Sequence, residues 1–333
     1  MRNQHALTYV MVTHLSKIES TRLLACSCVL RVFFMLVKGA DWFVEGAAKI
    51  ADRLGIPQLV IGLTIVAMGT SAPETAVSIS AALKGSAEIA VGNVLGSNIL
   101  NILIILGITS LIIPLSVQKS TIKYEMPFMI LIMIIFAVLG LSDNVVGVVD
   151  GLILWALFII YLVYLFFMAK KGQATVEEVE DDGEKDSIFK MLVLIVVGAV
   201  LIVLGSNVSV DAATALAKIF GMSERLIGLT IVALGTSLPE LVTSVTAGVK
   251  GKADIAIGNI VGSNIFNILF VIGTSALITP VVYQASFFVD SIVCVAVAAL
   301  LLVCVLNKDN KLKRWGGIIM LVSYAAYFVY LIQ

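Results

Sequence analysis

Residues 62–74 read GLTIVAMGTSAPE, and residues 228–240 read GLTIVALGTSLPE. The second copy follows the first by 166 positions, and the register holds well beyond the motif. Gly55 to Pro114 aligns without a gap onto Gly221 to Pro280, with 33 of 60 positions identical. Composition alone does not produce a fixed register, so the chain carries an internal duplication.

Around these copies the sequence is strongly apolar. Of 333 residues, 60% are hydrophobic and 13% charged, with a mean hydropathy of +1.07, which describes a polytopic membrane protein rather than a soluble domain. Apolar runs long enough to cross a bilayer fall near 24–49, 56–83, 88–113, 125–140, 147–169, 190–218, 224–249, 253–278, 286–306 and 315–332. These ten spans predict an all-α fold. The stretch from Lys170 to Lys190 holds seven acids and reads as a solvated linker dividing five spans from five. Because five is odd, the second half enters the membrane from the opposite side, and the repeats are inverted.

Charge sidedness agrees. With the linker on the cytoplasmic side, 14 of the 22 Lys and Arg residues fall in cytoplasmic loops and flanks and 3 on the opposite side, the other five (Arg2, Lys17, Arg22, Arg31 and Lys38) lying in the N-terminal tail and first span. The expected organisation is a poorly conforming extension with the start of the first span (1–31), a first five-span repeat (32–169), an acidic cytoplasmic linker (170–190) and a second repeat (191–333). Arg31 interrupts the first span where its counterpart Val197 is apolar, so the extension departs from the repeat. The expected location is a prokaryotic cell (inner) membrane, with the lipid bilayer as the chain's principal partner.

Several function classes drop out. Equal numbers of acids and bases give no basic field for nucleic acid. His5 and His14, the only histidines, lie in the N-terminal tail, so the body has no imidazole for a metal site or a triad. Cys26, Cys28, Cys294 and Cys304 lie in apolar stretches without zinc spacing and read as small core residues. No enzyme chemistry and no cofactor are expected.

The duplicated motif places polar groups where lipid should exclude them. Pro73 and Pro239 cannot donate to the carbonyl four residues back, so the second and seventh spans should each break into two half-helices. Such breaks bare carbonyls near Ala67 to Thr70 and Ala233 to Thr236 at the negative end of the first half-helix, where a cation is favoured. The spacing Ser71 to Glu74, like Ser237 to Glu240, also fits a helix N-cap, the bland alternative. A carboxylate at the bilayer centre costs about 2.5–3.5 kcal/mol on insertion scales, more than a cap explains in duplicate. Brought together by the pseudo-twofold, Glu74 and Glu240 would balance one divalent ion, and an all-oxygen shell favours a hard ion such as calcium.

A second duplicated block runs from Gly92 to Asn101 and from Gly258 to Asn267 (GNVLGSNILN and GNIVGSNIFN). Glycines four apart suit close helix packing. Ser97 with Asn101, and Asn98 with Asn101, share one helical face that can supply neutral oxygens to a less charged ion; hydrogen bonding between helices is the alternative. Asp41, Glu45, Glu88, Glu125, Asp254 and Asp290 fall near span ends and read as structural.

These two blocks resemble the alpha repeats of the cation/calcium exchanger superfamily, most closely its prokaryotic sodium/calcium exchanger branch. The resemblance implies ten helices, inverted repeats, discontinuous helices at the midplane and antiport by alternating access. It implies Glu74 and Glu240 as calcium ligands with the Thr70 and Thr236 carbonyls beside them, and Ser71, Ser237, Ala67, Ala233, Ser97, Ser263 and Asn101 lining sodium sites. Asn267 stands where some relatives have Asp, which is similar to potassium-independent exchangers. The expected function is sodium/calcium antiport. The alternative is proton/calcium or other divalent cation antiport, and a cation channel ranks behind both.

Overall fold

The structure is a computed structural model that describes residues 31–32, 34–85, 88–175, 187–219 and 233–332. The N-terminal extension up to residue 30, most of the linker and the predicted start of the seventh span lie outside these residues.

The described chain is helical almost throughout. In order, the helices are α1 (34–54), α2 (Gln58–Thr70), α3 (Ala72–Leu83), α4 (Ile89–Ile112), α5 (Thr121–Asp143) and α6 (Val148–Thr175). The second half supplies α7 (Ile188–Ile219), α8 (Ala233–Thr236), α9 (Leu238–Val249), α10 (Ala253–Ile278), α11 (Ala285–Val305) and α12 (Arg314–Ile332). Among the described residues, seven helices are long and apolar enough to span a bilayer, and α2 with α3 forms an eighth, bent span. Boundaries differ from the sequence reading in places. Helix α6 runs to Thr175 rather than 169, so Lys170 and Lys171 are helical rather than linker. No proline stops the helix there, and long Lys side chains carry its last turns into water.

The proline motif breaks its span as expected. Ser71 (φ −79°, ψ 11°) separates α2 from α3, Pro73 lies in the first turn of α3, and the two pieces bend by 52°. Ser237 adopts nearly the same backbone (φ −89°, ψ 6°) between α8 and α9.

Burial sorts the helices into an inner and an outer set. The apolar stretch of α10 is 94% buried and that of α4 72%, whereas α12 reaches only 17%. Outer helices carry exposed Val149, Phe166 and Val322, an apolar perimeter that suits lipid. Where α2 crosses α10 the backbones meet: a Cβ at Gly258 would lie 3.0 Å from the Gly62 backbone, and one at Gly262 2.7 Å from the Leu63 carbonyl. No comparable approach is seen among the described residues at Gly92 and Gly96. Cys294 and Cys304 are buried and free, as core residues.

Two short strand pairs report the handedness of the halves. β1 (Leu115–Ser116) precedes α5 and pairs antiparallel with β4 (Lys311–Leu312), while β2 (Val145–Val146) follows α5 and pairs with β3 (Val281–Val282). By the repeat offset β3 is the counterpart of β1, yet the two sit at opposite ends of α5. Equivalent loops therefore emerge on opposite sides, and the polytopic all-α fold consists of inverted repeats.

Candidate cation site

The helix breaks put Glu74 and Glu240 in the first turns of α3 and α9, each 1% exposed. Neither serine caps its own helix. Instead the hydroxyls cross between the repeats: Ser71 Oγ donates to Glu240 Oε1 at 2.9 Å, and Ser237 Oγ donates to Glu74 Oε1 at 3.1 Å. The cap, which the sequence left as the weaker alternative, does not form at either serine. The local spacing permits a cap, but the pseudo-twofold brings the opposite carboxylate within reach, and the serine hydroxyl donates to that charged acceptor.

Asparagines brace these half-helices. Asn93 Nδ2 donates to the Glu74 carbonyl at 3.3 Å and to Ser78 Oγ at 3.0 Å; Asn259 Nδ2 repeats this on the Glu240 carbonyl at 3.4 Å and Ser244 Oγ at 2.9 Å. Thr70 Oγ1 donates to Asn259 Oδ1 at 2.9 Å. The Ala67 carbonyl, predicted to be bare, already accepts from Ser71 N at 3.0 Å and from Ser263 Oγ at 3.3 Å. Ala233 opens α8, and its side chain lies outside the description.

A second ring of amides joins α4 to α10. Asn98 Nδ2 donates to the Asn264 carbonyl at 3.2 Å, and Asn264 Nδ2 donates to the Asn98 carbonyl at 3.3 Å. A carbonyl only accepts, so the polarity of both side-chain amides is fixed. Their oxygens must then receive donors: Asn98 Oδ1 from Asn267 Nδ2 at 3.1 Å, and Asn264 Oδ1 from Asn101 Nδ2 at 3.0 Å. This leaves Asn101 Oδ1 and Asn267 Oδ1 turned away from the ring, buried and without a partner. Both asparagines open π-helical turns, Asn101–Leu106 and Asn267–Ile272, a distortion often found at functional sites.

Glu74 Oε2, Glu240 Oε2 and Ser97 Oγ are likewise buried without partners. No cationic side chain pairs with either carboxylate among the described residues. Two buried carboxylates in an apolar protein, each with an unsatisfied oxygen, are strongly disfavoured unless a cation joins them or a proton neutralises them. For Asn98 and Asn264 the alternative reading, hydrogen bonding between helices, is the one the structure shows, and what the sequence did not show is that these bonds orient Asn101 and Asn267.

A family model described as sodium/calcium exchanger protein matches residues 25–167 and 190–333, and the chain belongs to this family. It is 33% identical to the sodium/calcium exchanger MaX1 of Methanosarcina acetivorans, over 89% of this chain and 95% of the relative. It is 39% identical to the inner membrane protein YrbG of Escherichia coli, over 78% of this chain and 81% of the relative. A solved structure of the sodium-calcium exchanger NCX_Mj superposes with a TM-score of 0.79 at 34% identity, covering 92% of this chain and 98% of that one. The chain is accordingly a multi-pass membrane protein of the cation/calcium exchanger class.

Proposed function

We propose that the protein is a sodium/calcium antiporter, not an enzyme, in which Glu74 and Glu240 are shared ligands for the two ions. The carrying observation is the set of buried, unpartnered oxygens: two carboxylate atoms, Asn101 Oδ1, Asn267 Oδ1 and Ser97 Oγ. Two negative charges and neutral oxygens match calcium, and the same oxygens can divide among sodium ions. Ser71, Ser237, Thr70, Thr236 and Ser263 complete or steady the shell, with Ala67 and Ala233 at the breaks. Ions are cargo, and no resident cofactor takes part.

Antiport follows from charge. An empty site holding two carboxylates resists passage through an apolar protein, whereas one loaded with calcium or with sodium is neutralised. Either load therefore crosses, and the empty site does not. The movable element is the α1–α7 pair, which packs closely where a Cβ at Gly39 would lie 2.9 Å from the Gly198 carbonyl. Asp41 on α1 pairs with Lys250, just beyond α9, at 2.6 Å and is a contact that movement would break. The linker lies on the cytoplasmic side, and neutral Asn267 makes exchange independent of potassium.

The test is calcium flux in proteoliposomes with sodium, potassium and pH varied independently. Uptake should follow an opposed sodium gradient and ignore potassium. Flux driven by a pH gradient without sodium would refute sodium coupling.

A further inference from the structure

Among the described residues, ten buried side-chain oxygens lack a hydrogen-bond partner. Five belong to the Glu74–Glu240 site. Ser206 and Thr243 contribute one each. The other three lie together on α5 and α6: Thr121 Oγ1, Glu125 Oε2 and the Tyr161 hydroxyl.

Thr121 and Glu125 are the first and last residues of a π-helical turn that begins α5. Tyr164, one turn beyond Tyr161 on α6, donates its hydroxyl to Glu125 Oε1. The Tyr161 ring stacks on Phe128 with centroids 5.7 Å apart, fixing where its hydroxyl sits. Glu125 is 1% exposed, and no cationic side chain pairs with it among the described residues. Beside it lies a cavity of about 400 Å³ with Lys123, Glu125, Tyr161 and Tyr164 in its wall; the Lys123 ammonium lies over the Tyr124 ring, 5.3 Å from its centroid, rather than on Glu125.

The second repeat shows that the fold does not require this arrangement. The counterpart of Glu125 is Ser291, whose hydroxyl pairs with Tyr283 at 2.7 Å. The counterpart of Tyr161 is Tyr327, which donates to Asp290 at 2.8 Å. Both hydroxyls are satisfied there, so the unsatisfied set is peculiar to the first half. A proton shared between Glu125 Oε2 and one of the two hydroxyls is the competing way to satisfy the set, and the pH arm of the test below separates it from an ion. One ion among the oxygens satisfies all three. Two carboxylates match a divalent ion at the centre; here one carboxylate with three neutral hydroxyls matches a single positive charge, and an all-oxygen donor set suits an alkali metal.

We propose that Glu125, with Thr121, Tyr161 and Tyr164, forms a second cation site that holds one alkali metal ion and is separate from the Glu74–Glu240 pair. The ion ties α5 to α6 and makes the protein's stability depend on monovalent cations that are not being transported. This proposal stands whether or not the central pair binds calcium.

The test uses the full chain in nanodiscs with the central pair neutralised (Glu74→Gln with Glu240→Gln). Melting is compared in sodium, potassium or N-methylglucamine chloride at equal ionic strength and fixed pH. Sodium or potassium should raise the melting temperature by about 2 °C or more over the organic cation. Adding Glu125→Gln or Tyr161→Phe should abolish the rise. No rise, or a rise that survives Glu125→Gln, overturns the proposal, as does stabilisation produced by lowering the pH but not by alkali cations. Should the double variant fail to fold, equilibrium binding of radioactive sodium and rubidium to the wild-type chain and to Glu125→Gln decides: one bound ion fewer supports the site, and equal counts overturn it.

Discussion

Replacing Asn98 by alanine should weaken calcium binding although Asn98 does not face the ion. Its amide donates to the Asn264 carbonyl and accepts from Asn267 Nδ2, and the second bond holds Asn267 Oδ1 toward the site. Two lost hydrogen bonds cost about 2 kcal/mol of stability. The larger effect is on function. With Asn98 shortened, Asn267 can offer its oxygen to a cation only by leaving Nδ2 buried and unpaired, at about 1–3 kcal/mol. At 1.4 kcal/mol per decade, calcium affinity should fall roughly 5- to 150-fold. Asn98→Asp keeps an acceptor for Asn267 and should retain more affinity than Asn98→Ala. The assay is calcium binding to purified, folded protein by calorimetry, with the half-saturating calcium concentration for exchange measured alongside. Affinity for Asn98→Ala within twofold of wild type, in a protein that melts as a folded species, would refute the orienting role.

Three further outcomes follow from the same geometry. Ser71→Ala and Ser237→Ala each remove a hydroxyl from the opposite repeat's carboxylate, worth about 1.5–3 kcal/mol for a bond to a charged group, so each should weaken calcium binding about tenfold or more, and to similar extents. Gly262→Leu would drive a side chain into the Leu63 carbonyl, 2.7 Å from the position of its Cβ, and should lower stability by about 1–3 kcal/mol with loss of exchange, read by thermal melting and flux. Lys250→Ala removes a half-exposed ion pair with Asp41 and should change stability by less than about 1 kcal/mol while altering the rate at which access switches, seen in stopped-flow exchange.

Much of this arrangement was legible in the sequence because its causes are local or arithmetical. Pro73 and Pro239 announce the breaks at Ser71 and Ser237 through the missing amide, and five spans per half impose inversion whatever the packing. Partners across the pseudo-twofold were not legible. The Ser-x-x-Glu spacing points to a local cap, and only the assembled halves show Ser71 reaching Glu240. Asn98 and Asn101 do share a helical face, but that both of them meet Asn264 of the other repeat is not contained in the spacing of either. Glu125 read as a structural acid near a span end because its tyrosines come from another helix, and no spacing rule joins residues 125, 161 and 164.

The most direct measurement is equilibrium binding of radioactive calcium to the purified chain, with sodium as competitor, in wild type and in the Glu74→Gln and Glu240→Gln variants. A shared two-carboxylate site predicts a single calcium displaced by sodium. Each variant should lose about two to four decades of affinity, the 3–5 kcal/mol cost of breaking a buried charge pair. Calcium binding that survives both substitutions together, or that sodium does not displace, would contradict it.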